Sequence, residues 1–113
     1  MEKLFSYGSL QLAPVQMDTF GRILHGQPDV LIDFKKETFR IKEDAVINSG
    51  ELEEYPIISF TGNGDDVIEG VVLSVTADEM LRADEYEADE YKRISVILES
   101  GITAWVYVKN DNP

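Results

Sequence analysis

The chain has 113 residues, ten basic against twenty-two acidic for a net charge of −12 at pH 7, and no cysteine. That length suits a single domain, 1–113, with a real core, and the lack of cysteine excludes disulfides, thiolate metal sites and a cysteine nucleophile. The acidic field repels phosphate backbones and anionic bilayers, so neither nucleic acid nor a membrane is expected as a partner.

No apolar run approaches the length of a bilayer, and "MEKLFSYG" turns polar too quickly for a secretory signal, so the expected location is cytoplasmic. Residues 3–7 read as a first strand, ending at Gly8, which is free to take positive φ. Residues 14–24 suit a short helix, with Pro14 in its first turn and Val15, Phe20 and Ile23 as its apolar positions. "GQP" then breaks the chain. Two β-rich segments follow at 30–34 and 38–42, and Lys35, Lys36, Arg40 and Lys42 read as their solvated side rather than a binding patch.

"AVINSG", 45–50, is a short apolar run that ends in a turn. "IISFTGNGDDVIEGVVLSV", 57–75, has the pattern of a hairpin turning at Asn63-Gly64, a pair that accepts positive φ at both central positions. Thr76 and Glu79 form a capping box at the start of a second helix, where Ala77, Met80, Leu81 and Asp84 fall at helical spacing. "RISVILESGITAWVYV", 93–108, predicts a second hairpin turning at Ser100-Gly101. In it Ile102, Ala104, Val106 and Val108 alternate with Thr103, Trp105 and Tyr107. The tail "KNDNP" is expected to fray. About six strands and two helices, with the strands clustered late, define an α+β domain. The expected architecture is a small mixed, mostly antiparallel β-barrel flanked by one or two short helices.

Most catalytic sets fail at once. His25 is the sole histidine and reads as a surface loop residue, so no histidine-rich metal site can be built. The serines have no evident base partner in sequence, and no phosphate-cradling glycine loop is present. Carboxylate chemistry remains, centred on "RADEYEADEYKR", 82–93. A solvated acidic helix end is the bland reading of such a run. At 100° per residue, however, Glu87 lies about 20° around the helix from Met80, on the core-facing stripe, while Glu85 and Asp89 point out. Its place near a helix C-terminus, its acidic neighbours and any desolvation all raise its pKa. Such a group suits proton transfer near neutral pH. Pairing of Glu87 with Lys92 or Arg93 is the open alternative.

"YGSLQ" after a first strand, "YP" at Tyr55-Pro56, "VIEGVVLSVT", "ADEYEADEYKR" and a closing "AWVYV", in that order, resemble the γ-glutamylcyclotransferase-like family across nearly the whole chain. The resemblance implies a small barrel with a cavity at one end. It also implies a substrate-binding loop of Tyr7, Gly8, Ser9 and Leu10, a catalytic Glu87 and a pocket-lining Tyr91. Ala88 stands where relatives often carry glycine. The implied reaction cyclises the γ-glutamyl group of a small γ-glutamyl amine or peptide to 5-oxoproline, with no cofactor and no metal. The implied partner is that small molecule, on a monomer or weak homodimer. The alternatives are a non-catalytic member of the fold, binding a carboxylate-bearing metabolite or a protein, and an acidic docking face for a basic protein.

Overall fold

A computed structural model describes residues 1–40, 54–87 and 91–110. The "AVINSG" segment lies outside them, as do Lys42, Asp89 and the last three residues of the tail. In chain order the elements are β1 (Glu2–Ser6), a 3-10 turn (Ser9–Gln11), α1 (Ala13–Phe20), β2 (Gln27–Ile32), β3 (Phe34–Arg40), β4 (Glu54–Phe60), β5 (Val67–Val75), α2 (Ala77–Tyr86), β6 (Tyr91–Ile97) and β7 (Thr103–Lys109). The sheet order is β2-β5-β1-β7-β6, with β3 and β4 forming a separate two-stranded ribbon. All described pairings are antiparallel except β1 with β7, where Leu4 pairs with Trp105.

The central strands are buried on both faces, which is why they read as nearly continuous apolar runs. On one face Leu4, Leu73, Val75 and Tyr107 pack against Leu10, Phe20, Met80 and Ala83 of the 3-10 turn and helices. On the other, Phe5, Val72, Ala104 and Val106 pack against Phe34 and Ile58 of the ribbon. The C-terminal hairpin forms as its alternation predicts, with Gly101 taking φ 93° in the turn.

The 57–75 segment is not a hairpin. β4 pairs with β3, while β5 pairs with β2 and β1. Phe34 faces Phe60 and Ile32 faces Val67, so Asp33 alone on one arm stands opposite residues 61–66 on the other. Asp33, at φ 73°, donates its N–H to Asp66 and accepts from the amides of Thr61 and Gly62 through its carbonyl. Residues 27–40 and 54–75 are thus the two arms of one long ribbon bent at Asp33, and Asn63-Gly64 lies in a loop on the return arm.

That bend also corrects the barrel expectation, because the sheet does not close. It folds β3–β4 across the face, and the edge strand β2 carries Pro28, which has no N–H for a further ladder. The β6–β7 turn reaches β2 only at a point. There the Glu99 N–H donates to the Val30 carbonyl at 2.8 Å, and the Ser100 hydroxyl bonds Asp29 at 2.5 Å.

Helix α1 ends earlier than expected, at Phe20, because Gly21 adopts φ 77° and its N–H caps back to the Met17 carbonyl. Ile23 is consequently outside the helix and 47% exposed. α2 begins with the capping box: the Thr76 side chain accepts from the Glu79 N–H, and the Glu79 carboxylate accepts from the Thr76 N–H. Its buried stripe is Glu79, Met80 and Ala83, whereas Leu81, at helical spacing with Ala77 and Asp84, is 60% exposed.

Candidate active site

The end of α2 and the loop after β1 meet over β7. Tyr7, first residue beyond β1, is buried, and its hydroxyl donates to the Tyr107 carbonyl at 2.5 Å. Burial first, then the neighbouring Tyr91 and Glu87, push its phenol well above the usual tyrosine range. Two residues on, the Ser9 hydroxyl shares a 2.6 Å hydrogen bond with that of Tyr86, the last residue of α2. Glu87 follows as the C-cap, with φ −74° and its N–H bonded to the Ala83 carbonyl. It is half-buried, and burial pushes its carboxyl up to about 7.

The inward direction of Glu87, read from its spacing to Met80, is therefore correct, and the cause of its raised pKa is burial. Pairing with Arg93 does not occur. Arg93 instead binds Asp84 with two hydrogen bonds, Nε to Oδ1 at 2.8 Å and Nη2 to Oδ2 at 3.0 Å. Tyr107 adds a third, its hydroxyl donating to Asp84 Oδ1 at 2.8 Å. Tyr91 is half-buried at the start of β6, and its hydroxyl donates to the Pro56 carbonyl at 2.5 Å, tying the ribbon to the site.

The four loop residues differ in what they offer. Gly8 has φ −128°, outside the left-handed region, so the expectation that it ends the strand through positive φ is corrected. A Cβ there would lie 3.4 Å from Pro56 Cγ, so the ribbon borders it closely. The Ser9 and Leu10 amides open the 3-10 turn, where no carbonyl within the turn can reach them. Leu10 gives its side chain to the core, at 2% exposure, leaving only its backbone for a ligand.

The loop is held from below by Gln16, a residue that carries no sequence signal of its own. Buried in α1, it donates to the Leu10 carbonyl at 2.9 Å and accepts from the Leu24 N–H at 2.8 Å. His25 is exposed.

Two surface depressions among the described residues do not coincide with this chemistry. One, about 710 Å³, lies at the seam of β2 and the β6–β7 turn, bordered by Asp29, Glu69 and Ser100. The other, about 610 Å³, runs between α1 and α2 and ends at Tyr86, beside Glu87. The perturbed carboxylate and its ring of phenols mark the candidate site better than either hollow, since catalytic groups are recognised by their electrostatic environment.

This chain belongs to the family described as gamma-glutamyl cyclotransferase, AIG2-like, which it matches over residues 4–113. No curated protein matches it. Among solved structures it is similar to the solution structure of At5g39720.1 from Arabidopsis thaliana, at 26% identity and a TM-score of 0.70, covering 99% of this chain and 70% of that one. A structure titled gamma-glutamyl cyclotransferase matches at 20% identity and a TM-score of 0.73, over 96% of this chain and 66% of that one. An uncharacterized protein from Pyrococcus horikoshii matches at 16% and 0.66, over 100% and 81%. The last two likenesses concern the fold, and the chain spans about two thirds of the length of the first two proteins. Among the described residues no helix is long and apolar enough to cross a membrane.

Proposed function

We propose that this chain is a γ-glutamylcyclotransferase-like enzyme, closing the γ-glutamyl group of a small γ-glutamyl amine or peptide to 5-oxoproline. The observation that carries the reading is Glu87, a half-buried carboxyl raised to about 7 beside the loop that begins at Tyr7. As carboxylate it accepts a proton from the substrate α-ammonium. The freed amine attacks the γ-carbonyl carbon, a five-membered ring forms, and the bond to the leaving nitrogen breaks as Glu87 returns the proton to that nitrogen. The second proton of the ring nitrogen then passes by way of Glu87 to the released amine, which departs as ammonium.

The loop amides at Gly8, Ser9 and Leu10 serve the substrate α-carboxylate as backbone donors, a role that needs no cationic side chain. Holding amine and carbonyl together in a folded substrate supplies the proximity contribution. Tyr91 lines the same niche. Neither metal nor organic cofactor enters any of these steps.

A panel of γ-glutamyl amines and peptides incubated with the purified protein tests the proposal. Release of 5-oxoproline is expected, with Glu87→Gln cutting the rate by roughly 100-fold or more at unchanged circular dichroism. Turnover that survives Glu87→Gln removes the assigned role. Thermal stabilisation by the panel without turnover identifies a binding protein instead.

A further inference from the structure

We infer that Asp84 is a positioning residue whose task is to hold the Arg93 guanidinium away from Glu87. The inference rests on the proposed acid/base role of Glu87, and it starts from three side chains brought together by the end of α2 and the C-terminal hairpin. Asp84 and Glu87 are three residues apart on the last turn, hence neighbours on the helix surface. Both act on the same phenol. Tyr107 donates to Asp84 at 2.8 Å, and burial first, then that hydrogen bond and the charges of Asp84 and, last, Glu87, push its pKa above the usual tyrosine range.

Arg93 enters this neighbourhood from β6, where it is the cross-strand partner of Tyr107. The register of the hairpin thus aims a cation and a phenol at one helix end carrying two carboxylates. A guanidinium near a half-buried carboxylate normally pairs with it and lowers its pKa by roughly one to three units. Here Asp84 takes the edge formed by Nε and Nη2, and the guanidinium face lies 4.4 Å from the Trp105 ring centroid. A two-point hydrogen bond fixes the plane of the group, and the stacked indole fixes its depth.

Among the described residues, Glu87 is left facing groups that bring no positive charge. From the end of β1 it meets Tyr7, which has Tyr91 of β6 beside it, and from β7 it meets Tyr107. The phenols of Tyr7 and Tyr107 are pushed upward and stay protonated at neutral pH. On its own helix it has Asp84, already occupied. Burial therefore acts on Glu87 without a cation to oppose it. In a chain of this composition, an acid that engages an arginine brought to the same helix end as another acid has a chemical purpose: it preserves a proton acceptor that works near neutrality.

Carbon-13 NMR titration of the Glu87 side-chain carboxyl in the whole protein, assigned by its loss in Glu87→Gln, tests this without requiring turnover. The wild-type midpoint is expected near 7. Asp84→Asn releases Arg93 and lowers the midpoint by roughly one to three units. Arg93→Gln leaves it at or above the wild-type value, and the double variant Asp84→Asn with Arg93→Gln restores it towards wild type.

A folded Asp84→Asn protein with an unchanged Glu87 midpoint overturns the inference, as does a double variant that keeps the full fall. If Asp84→Asn fails to fold, Arg93→Gln decides: a lowered midpoint overturns the inference and a midpoint at or above wild type supports it. A wild type inert towards every γ-glutamyl compound defeats the proposed function while leaving the titration result standing. In an active protein, the acid limb of the rate profile moves with the midpoint, a change that a purely structural anchor at Asp84 would not produce.

Discussion

Two glutamates face inward from opposite ends of α2, and they behave as opposites. Glu79 at the first turn is the more buried, at 6% exposure, yet its carboxyl is held down to about 2. Hydrogen bonds from Arg22 lead the causes, at 2.8 Å to each oxygen, and the Thr76 N–H adds another at 2.9 Å, together outweighing burial. Glu87 at the far end is raised to about 7 by burial. Depth alone does not decide a carboxyl's pKa here; the donors around it do. The first turn of a helix supplies free N–H groups and a favourable dipole end, while the last turn supplies neither.

The largest effect that separates the two ends is catalytic. Glu87→Gln is expected to remove roughly 100- to 10,000-fold of the cyclisation rate, whereas Glu79→Gln, tested in the same assay, leaves the rate near wild type. Next comes stability against pH, where the two act in opposite windows. Glu87 has a folded pKa above its ordinary 4.5, so its contribution is full below pH 4.5 and is lost as pH rises to about 7. That loss is at most about 3 kcal/mol, and Glu87→Gln should flatten urea-derived stability across that range. Glu79 has a depressed pKa, so its contribution is present above pH 4.5 and is lost as pH falls towards 2. Glu79→Gln should flatten the acid side only.

Smaller still is the cap itself. Thr76→Ala removes one acceptor for the Glu79 N–H and should cost about 1 kcal/mol by denaturant melting, with the Glu87 midpoint unmoved. The smallest expected effect is Tyr86→Phe, which deletes the 2.6 Å bond to Ser9 at an exposed position. It should change stability by about 0.5 kcal/mol or less while weakening substrate binding through the loop, seen as a raised KM at near-constant kcat.

What the sequence made legible was local. The capping box is a three-residue relation, the hairpin at Ser100-Gly101 joins adjacent strands, and Glu87 is found by its seven-residue offset from Met80. Each depends on chain geometry over one or two turns. The failures are relations between distant residues. Asn63-Gly64 carries a true turn signal, but β4 and β5 find partners far away in β3 and β1, so the turn closes no hairpin. Barrel closure depended on whether β2 and β6 could share a ladder, which no local pattern reports. The pairing of Arg22 with Glu79 spans 57 residues, and the pairing of Arg93 with Asp84 joins β6 to α2. Gln16 is a further miss of this kind, since nothing around it in sequence signals a buried amide that braces the loop.

The parallel pairing of β1 with β7 has a kinetic consequence. Leu4 and Trp105 meet across a hundred residues of intervening chain, and closing so long a loop is slow because its entropy is lost before the contact forms. The N-terminal strand therefore acquires its second neighbour late, and the loop from Tyr7 to Leu10 settles only after the C-terminal hairpin docks. Pulse-labelling hydrogen exchange during refolding should show the β6–β7 amides protected before those of β1. A β1 protected first would reverse that order. On a ribosome, the same geometry keeps the candidate site unassembled until the last strand of the sheet has emerged.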